Sequence, residues 1–183
     1  AADELGNVFV IDSRNLSTGG GLLVVAAAEM VKQGLSAEEI VKNINELIPR
    51  VDASFVIDNL EYLYKGGRCS ALAMFGANLL KLKPCIQVKD GKMDVRKKFR
   101  GKFDAVLREY IDEQLSDPDD LVTDRVFITH AGCDPQLVSS LREYVESRGI
   151  FKEVFVTRAG CTVSSHCGAN TLGILFIRKS PLK

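Results

Sequence analysis

The chain has 183 residues, of which 46% are apolar and 26% charged, enough to bury a sizeable core in one large domain or two small ones, which excludes a disordered chain. Twenty-four lysines and arginines balance 24 aspartates and glutamates, so no net field draws the chain to nucleic acid or to an anionic membrane. The longest apolar runs, "LLVVAAA" and "ILFI", fall well short of the roughly 20 residues that span a bilayer, and with no charged-then-apolar secretion signal at the start the chain is expected to be cytoplasmic, without stable membrane insertion.

Residues 7–13, "NVFVIDS", read as a short apolar strand. After the glycine-rich "RNLSTGGG", the length and alanines of "LLVVAAAEMVKQG" predict a buried helix closed by Gly34. Ser36 opens a second helix, with Glu39 in capping-box position and Ile40, Ile44, Leu47 and Ile48 on one stripe, stopped near Pro49. "VDASFVIDN" reads as a strand, and "LEYLYKGG" as a short helix ended by paired glycines, with Arg68 at its exit. "SALAMFGANLLKL" is helical and apolar enough to be buried on most sides. In "KPCIQVKDGKMDVRKKF", two alternating segments flank Asp90-Gly91, the strongest hairpin signal in the sequence. "GKFDAVLREYIDEQL" predicts a helix with Phe103, Val106, Leu107 and Tyr110 on one side, broken by "SDPDD". Strand "RVFITHAG", helix "DPQLVSSLREYVESRG", strand "KEVFVTRAG" and the terminal strand "LGILFI" follow. This alternation predicts an α/β protein with a largely parallel sheet, antiparallel in part at the hairpin.

Several short stretches carry candidate chemistry. "STGGG", between a strand and a helix, is either an anion-binding turn at a helix start or a structural turn capped by Ser17 or Thr18. It matches neither a P-loop nor a dinucleotide fingerprint, so no nucleotide cofactor is implied. Arg68 after two glycines has room to meet a carboxylate or phosphate, the alternative being a surface arginine after a helix end. His166 stands among small residues in "SSHCGANTLG", a bend from which an imidazole reaches into a cleft at the sheet edge or is simply satisfied in place; His130 ends a strand and allows the same two readings. The five cysteines show no repeated paired spacing, so reduced thiols are expected. A zinc- or cysteine-dependent hydrolase built on His130, His166, Cys133, Cys161 and Cys167 remains an alternative function. The basic run "RKKFRGK" is either a solvated hairpin edge or a docking patch.

Taken together, "VIDSRNLSTGGGLLV", "FVIDNLEYLYKGGRCS", "LLKLKPCIQVKDGKMDVRKKFR" and "SSHCGANTLGILF" resemble the DegV family in order and spacing, over essentially the whole chain. The resemblance implies a cytoplasmic fatty-acid-binding protein that buries one long-chain acyl group between two α/β lobes and presents its carboxylate to a separate ATP-dependent fatty acid kinase catalytic subunit. It implies no catalytic residue, metal or cofactor in this chain. Arg68 and His166 match the family's head-group Arg and His, with Gly67 and Gly168 beside them; Asp12 and Ser13 match its D-S loop, and Arg100 lies in the hairpin region associated with kinase docking. The first lobe is expected to comprise residues 1–51 and 160–183 with a mostly parallel sheet, and the second residues 52–159 with a mixed sheet containing the hairpin.

Two departures qualify the resemblance. Family members carry an upstream segment with further head-group hydroxyls, so the chain reads as the C-terminal portion of such a protein; an interaction domain that has lost the lipid site is the remaining alternative. Asn170 also stands where the family has a second glycine after the histidine, at a position where Asn tolerates positive φ better than most residues.

Overall fold

A computed structural model of the chain describes residues 2–67 and 82–182. Their centre is one six-stranded sheet in the order β3-β2-β1-β6-β4-β5. The strands are β1 (Val51–Ile57), β2 (Leu82–Lys89), β3 (Lys92–Arg100), β4 (Arg125–Ala131), β5 (Glu153–Arg158) and β6 (Thr171–Ile177). The helices are α1 (Ala2–Leu5), α2 (Ser17–Lys32), α3 (Ala37–Leu47), α4 (Glu61–Lys65), α5 (Phe103–Gln114), α6 (Pro135–Ser147) and α7 (Cys161–Cys167).

The α/β class matches expectation, but the largely parallel sheet does not. Among the described residues only β4 and β5 run parallel; β1 pairs antiparallel with β2 and β6, β2 with β3, and β4 with β6. A parallel pair needs a crossover element, and α6 supplies the one that returns the chain beside its preceding strand. The terminal strand β6 lies between β1 and β4, at the middle of the sheet. Strands from both expected lobes are therefore hydrogen-bonded neighbours, and the boundaries at residues 51 and 160 do not divide this sheet.

Alternation along the strands builds two cores. On one face Val51, Ala53, Val88 and Leu175 meet Leu22, Leu23 and Ala26 of α2 and Ile44 of α3. On the other, Val56, Val126, Ile128, Ile174 and Phe176 meet Val106, Leu107 and Ile111 of α5 and Val138 and Leu141 of α6. Each Val, Leu, Ile or Phe among them, fully buried, contributes about 1.5–3 kcal/mol relative to exposure. Asp52 is fully buried on β1, and Arg178, just past β6, donates to it from Nε at 2.7 Å, so the buried charge is paired.

Local signals mostly produce the expected elements. Ser36 and Glu39 form the reciprocal capping box, and Asp90 and Gly91 adopt φ of 50° and 75°, as a two-residue hairpin turn between antiparallel strands requires. Three expectations fail. Residues 7–13 form no strand: Val8, Phe9 and Val10 are exposed, with no strand paired to them among the described residues. "STGGG" is the first turn of α2 and not a loop; neither Ser17 nor Thr18 caps it, because Leu16 occupies the cap position. "CTVSSHC" forms the short helix α7, so His166 is helical and not in an open bend. The predicted helix over residues 70–82 lies almost entirely outside the described residues, as does Arg68.

Surface ion pairs tune stability with pH. The guanidinium of Arg125 holds Glu29 below the ordinary carboxylate range through its hydrogen bond, Lys152 does the same for Asp124, and the Ser180 hydroxyl leads for Asp120. Folded-state values below the unfolded ones mean that this stability is present above the ordinary carboxylate range and disappears as pH falls through the depressed values. The urea midpoint is therefore expected to be lower at about pH 3 than at about pH 6. Equal midpoints would show these pairs to be energetically silent.

Candidate functional site

The face of the sheet that carries α2 is not fully filled. Ala53 and Phe55 of β1, Thr129 and Ala131 of β4, and Thr171, Gly173 and Leu175 of β6 line a small apolar cavity of about 40 Å³. It is roofed by Leu16 and Ser17 at the start of α2 and by Val163 and Cys167 of α7, with Val88 of β2 at its far side. The cavity crosses four adjacent strands, roughly 14 Å at the usual 4.7–4.9 Å spacing. It exists because the floor is small: a Cβ on Gly173 would lie 2.2 Å from the Ser54 carbonyl oxygen and 2.8 Å from the Phe55 Cβ, so no larger residue fits there.

At the β4 and β5 side the cavity meets hydroxyls. The Oγ1 atoms of Thr18 and Thr129 are 2.7 Å apart and those of Thr129 and Thr157 2.9 Å, joining the first turn of α2 to two strands. The sequence reading missed this cluster. Its only trace is a Thr at matching places in "VFITHA" and "VFVTRA", which the parallel register Thr129↔Thr157 sets side by side.

The residues singled out from sequence fall in three places. Ser13 lies before α2, where its hydroxyl donates to the Asn15 carbonyl at 3.2 Å, while Asp12 accepts from the Arg14 amide at 2.9 Å. This D-S loop turns tightly, with Arg14 at φ 49°. The two motifs meet through His166 against Gly66 and Tyr62 against Gly168. The His166 ring lies against the Gly66 backbone, its Nδ1 2.7 Å from where a Cβ would stand, and the Tyr62 ring covers Gly168 so closely that a Cβ there would be 2.3 Å from it. Helix α4 thus packs on α7 through positions that tolerate no side chain. Gly67 and Gly168 hold φ of 63° and 76°, and Asn170 takes φ 56° as its residue type allows. Arg68 follows Gly67 directly in sequence and lies outside the described residues. Arg100 is exposed at the end of the edge strand β3, opposite Leu82.

The alternative chemistries find little support. Burial pushes the Cys133 and Cys167 thiols up to about 11 and that of Cys85 to about 12, the reverse of what activates a nucleophile. Cys161 is exposed. Among the described residues, no group of three or more His, Cys, Asp and Glu gathers as a metal site. His130 has a buried Nδ1 without a hydrogen-bond partner among the described residues, and burial, then the nearby Arg158 charge, lower its pKa. Among the described residues no helix is long and apolar enough to cross a membrane.

Comparison with known proteins places these features in context. The model of the DegV family, described as "Uncharacterised protein, DegV family", matches residues 1–179. A DegV domain-containing protein of Caldanaerobacter subterraneus is 34% identical over 175 residues, covering 94% of this chain and 61% of the relative. A Thermus thermophilus structure described as "Fatty Acid Binding of a DegV family Protein" superimposes with a TM-score of 0.85 at 30% identity, over 97% of this chain and 63% of that one. The Streptococcus pneumoniae Fatty Acid Kinase (Fak) B3 protein, loaded with linoleic acid, gives a TM-score of 0.79 at 20% identity over 92% of this chain and 59% of that one, a likeness of fold alone. The chain thus spans about three-fifths of the length of the relatives it matches.

Proposed function

The chain belongs to the DegV family, and from that premise we propose that it is a cytoplasmic fatty-acid-binding chain whose small apolar cavity over Gly173 takes part of the acyl tail. The observation that carries this reading is the apolar cavity itself, roofed by α7, whose last turn bears His166. A buried tail gains about 0.8 kcal/mol per methylene, while a carboxylate must keep hydrogen-bonding partners. In this reading His166 and Arg68 supply them, Gly67 and Gly168 let the backbone approach, and Ser13 stands at the D-S loop. The Thermus thermophilus protein, by its description a fatty-acid binder, supports the ligand class.

The finer part of the proposal is that the acid is handed to a separate ATP-dependent kinase subunit that forms the acyl phosphate, docking near Arg100. A chain of this fold is the Streptococcus pneumoniae protein described as Fatty Acid Kinase (Fak) B3, loaded with linoleic acid. No nucleophile or metal is asked of the present chain.

Native mass spectrometry of the purified protein tests the reading. A fatty acid is expected to co-purify, and Val163→Phe, which pushes a ring from α7 into the cavity, is expected to lose it while the protein remains folded. Arg68→Ala and His166→Ala are expected to weaken retention roughly tenfold each, the loss of one charged hydrogen bond. Absence of any bound or added acid in the wild-type protein would favour an interaction domain without a lipid site, and acid retention unchanged by Val163→Phe would move the tail elsewhere.

A further inference from the structure

We propose that the polar groove at Asp52, on the face of the sheet that carries α5, binds a small aliphatic di- or polyamine, with one ammonium group at the unpaired oxygen of Asp52. The groove measures about 580 Å³, and its walls include Asp52, Gln87, Arg96, Asp117, Asp120 and Arg178. It is separate from the apolar cavity over Gly173. Asp52 alternates with Ala53 of that cavity and so points to the other face of β1. It also stands where β1 begins and β6 ends, whereas α7 and His166 precede Thr171, which pairs with Ile57 at the far end of β1, roughly 17 Å away at the usual strand rise.

The two oxygens of Asp52 are held differently. The side chain is fully buried; Oδ2 accepts from Arg178 Nε at 2.7 Å, while Oδ1 has no hydrogen-bond partner among the described residues. A buried carboxylate oxygen without a donor is destabilising, and the neighbouring cations do not supply one. Arg178 also donates to Asp120 Oδ2 and to the Gln114 carbonyl, both at 3.4 Å. Arg96 donates to the Gln114 side chain at 2.9 Å and stays 3.9 Å from Asp52 Oδ2, beyond hydrogen-bond reach, and Lys97 turns to Glu113. Acceptors therefore exceed donors here, and the C-terminal end of α5, at Gln114, adds its negative pole. An ammonium group suits this balance, being a compact charge with three donors. Arg96, with its side chain 30% exposed, is the loosely held cation that it displaces. A metal ion does not suit it, because no three His, Cys, Asp or Glu gather as ligands among the described residues. Asp117, exposed at the rim, receives a second ammonium, which sets a diamine above a monoamine.

Isothermal titration of the full chain with putrescine at fixed ionic strength tests the site, with butylamine and magnesium ion as controls. Putrescine is expected to bind saturably and several-fold more tightly than butylamine, and magnesium is expected not to compete. Asp52→Asn is expected to weaken putrescine binding about tenfold or more, because a neutral amide replaces the carboxylate. Arg96→Ala is expected to tighten it roughly tenfold, because a competing cation is gone; a cluster that serves folding alone predicts no such gain. If Asp52→Asn does not fold, Arg96→Ala decides alone, since it leaves the pair of Asp52 and Arg178 in place. No saturable binding, an affinity unchanged in Arg96→Ala, or magnesium competing as strongly as putrescine overturns the site, and none of these results touches fatty-acid retention.

Discussion

Gly173→Ala is expected to lower folding stability by about 3 kcal/mol or more, the upper end of overpacking costs in a dense interior. The added methyl has nowhere to go. Its carbon would stand 2.2 Å from the Ser54 carbonyl oxygen, 2.8 Å from the Phe55 Cβ and 3.1 Å from the Phe55 Cα, and two of these three atoms are backbone. A flexible side chain swings away at little cost, but here β1 must shift relative to β6, both central strands with neighbours on either side. The same substitution raises the floor of the cavity, so any protein that still folds is expected to hold a fatty acid more weakly. Urea denaturation of the two proteins measures the first effect. A loss below about 1 kcal/mol would mean that the strands part easily at this point and that the close approach is not tightly held.

Tyr110→Phe is expected to cost about 3–5 kcal/mol although it removes a single oxygen, because three buried polar groups lose their partner at about 1–3 kcal/mol each. β1 and β6 are in register at residues 51–53 and 56–57, but Ser54 and Phe55 lie in a gap between the paired segments. The Tyr110 hydroxyl, on α5 and fully buried, occupies that gap. It donates to the Ser54 carbonyl at 2.8 Å and accepts from the Ile174 amide at 3.1 Å, with the Ser54 hydroxyl 2.9 Å away. Burial is the largest of the effects that raise its pKa well above the ordinary phenolic value, so it remains a donor throughout the folded range of pH. In the phenylalanine variant no water has room to replace it unless the sheet opens. Hydrogen exchange localises the effect: the Ile174 amide is expected to lose protection before the amides of β4 do. A variant as stable as the wild type would show that Ser54 and Ile174 find each other directly once the hydroxyl is gone.

The two largest effects thus sit on opposite faces of one place in the sheet, and neither residue was marked as special by local sequence. Tyr110 was legible only as one of four inward positions of a helix. Gly173 was one small residue in the apolar run that closes the chain. What they do depends on β6 arriving between β1 and β4, an event separated from β1 by more than a hundred residues of chain.

Local chemistry settled the elements that need only neighbours in sequence: the Ser36 and Glu39 box, the Asp90-Gly91 turn, the inward stripe of α5, and the strands β1 to β6 themselves. The ordered motifs settled the family. Where pairing partners were needed, sequence failed in the expected way: residues 7–13 look like a strand because a short apolar run is strand-like, yet a strand is stabilised by hydrogen bonds to another. The helix α7 was hidden because seven residues, about two turns, with Gly160 and Gly168 at the ends have almost no periodicity to detect. Strand direction, the hydroxyl cluster of Thr18, Thr129 and Thr157, and the cavity over Gly173 were decided by tertiary structure alone. Each is a relation between residues far apart in the chain, and contacts of that kind are selected by which arrangement buries the most apolar surface with every backbone group paired, a comparison that no single stretch of sequence contains.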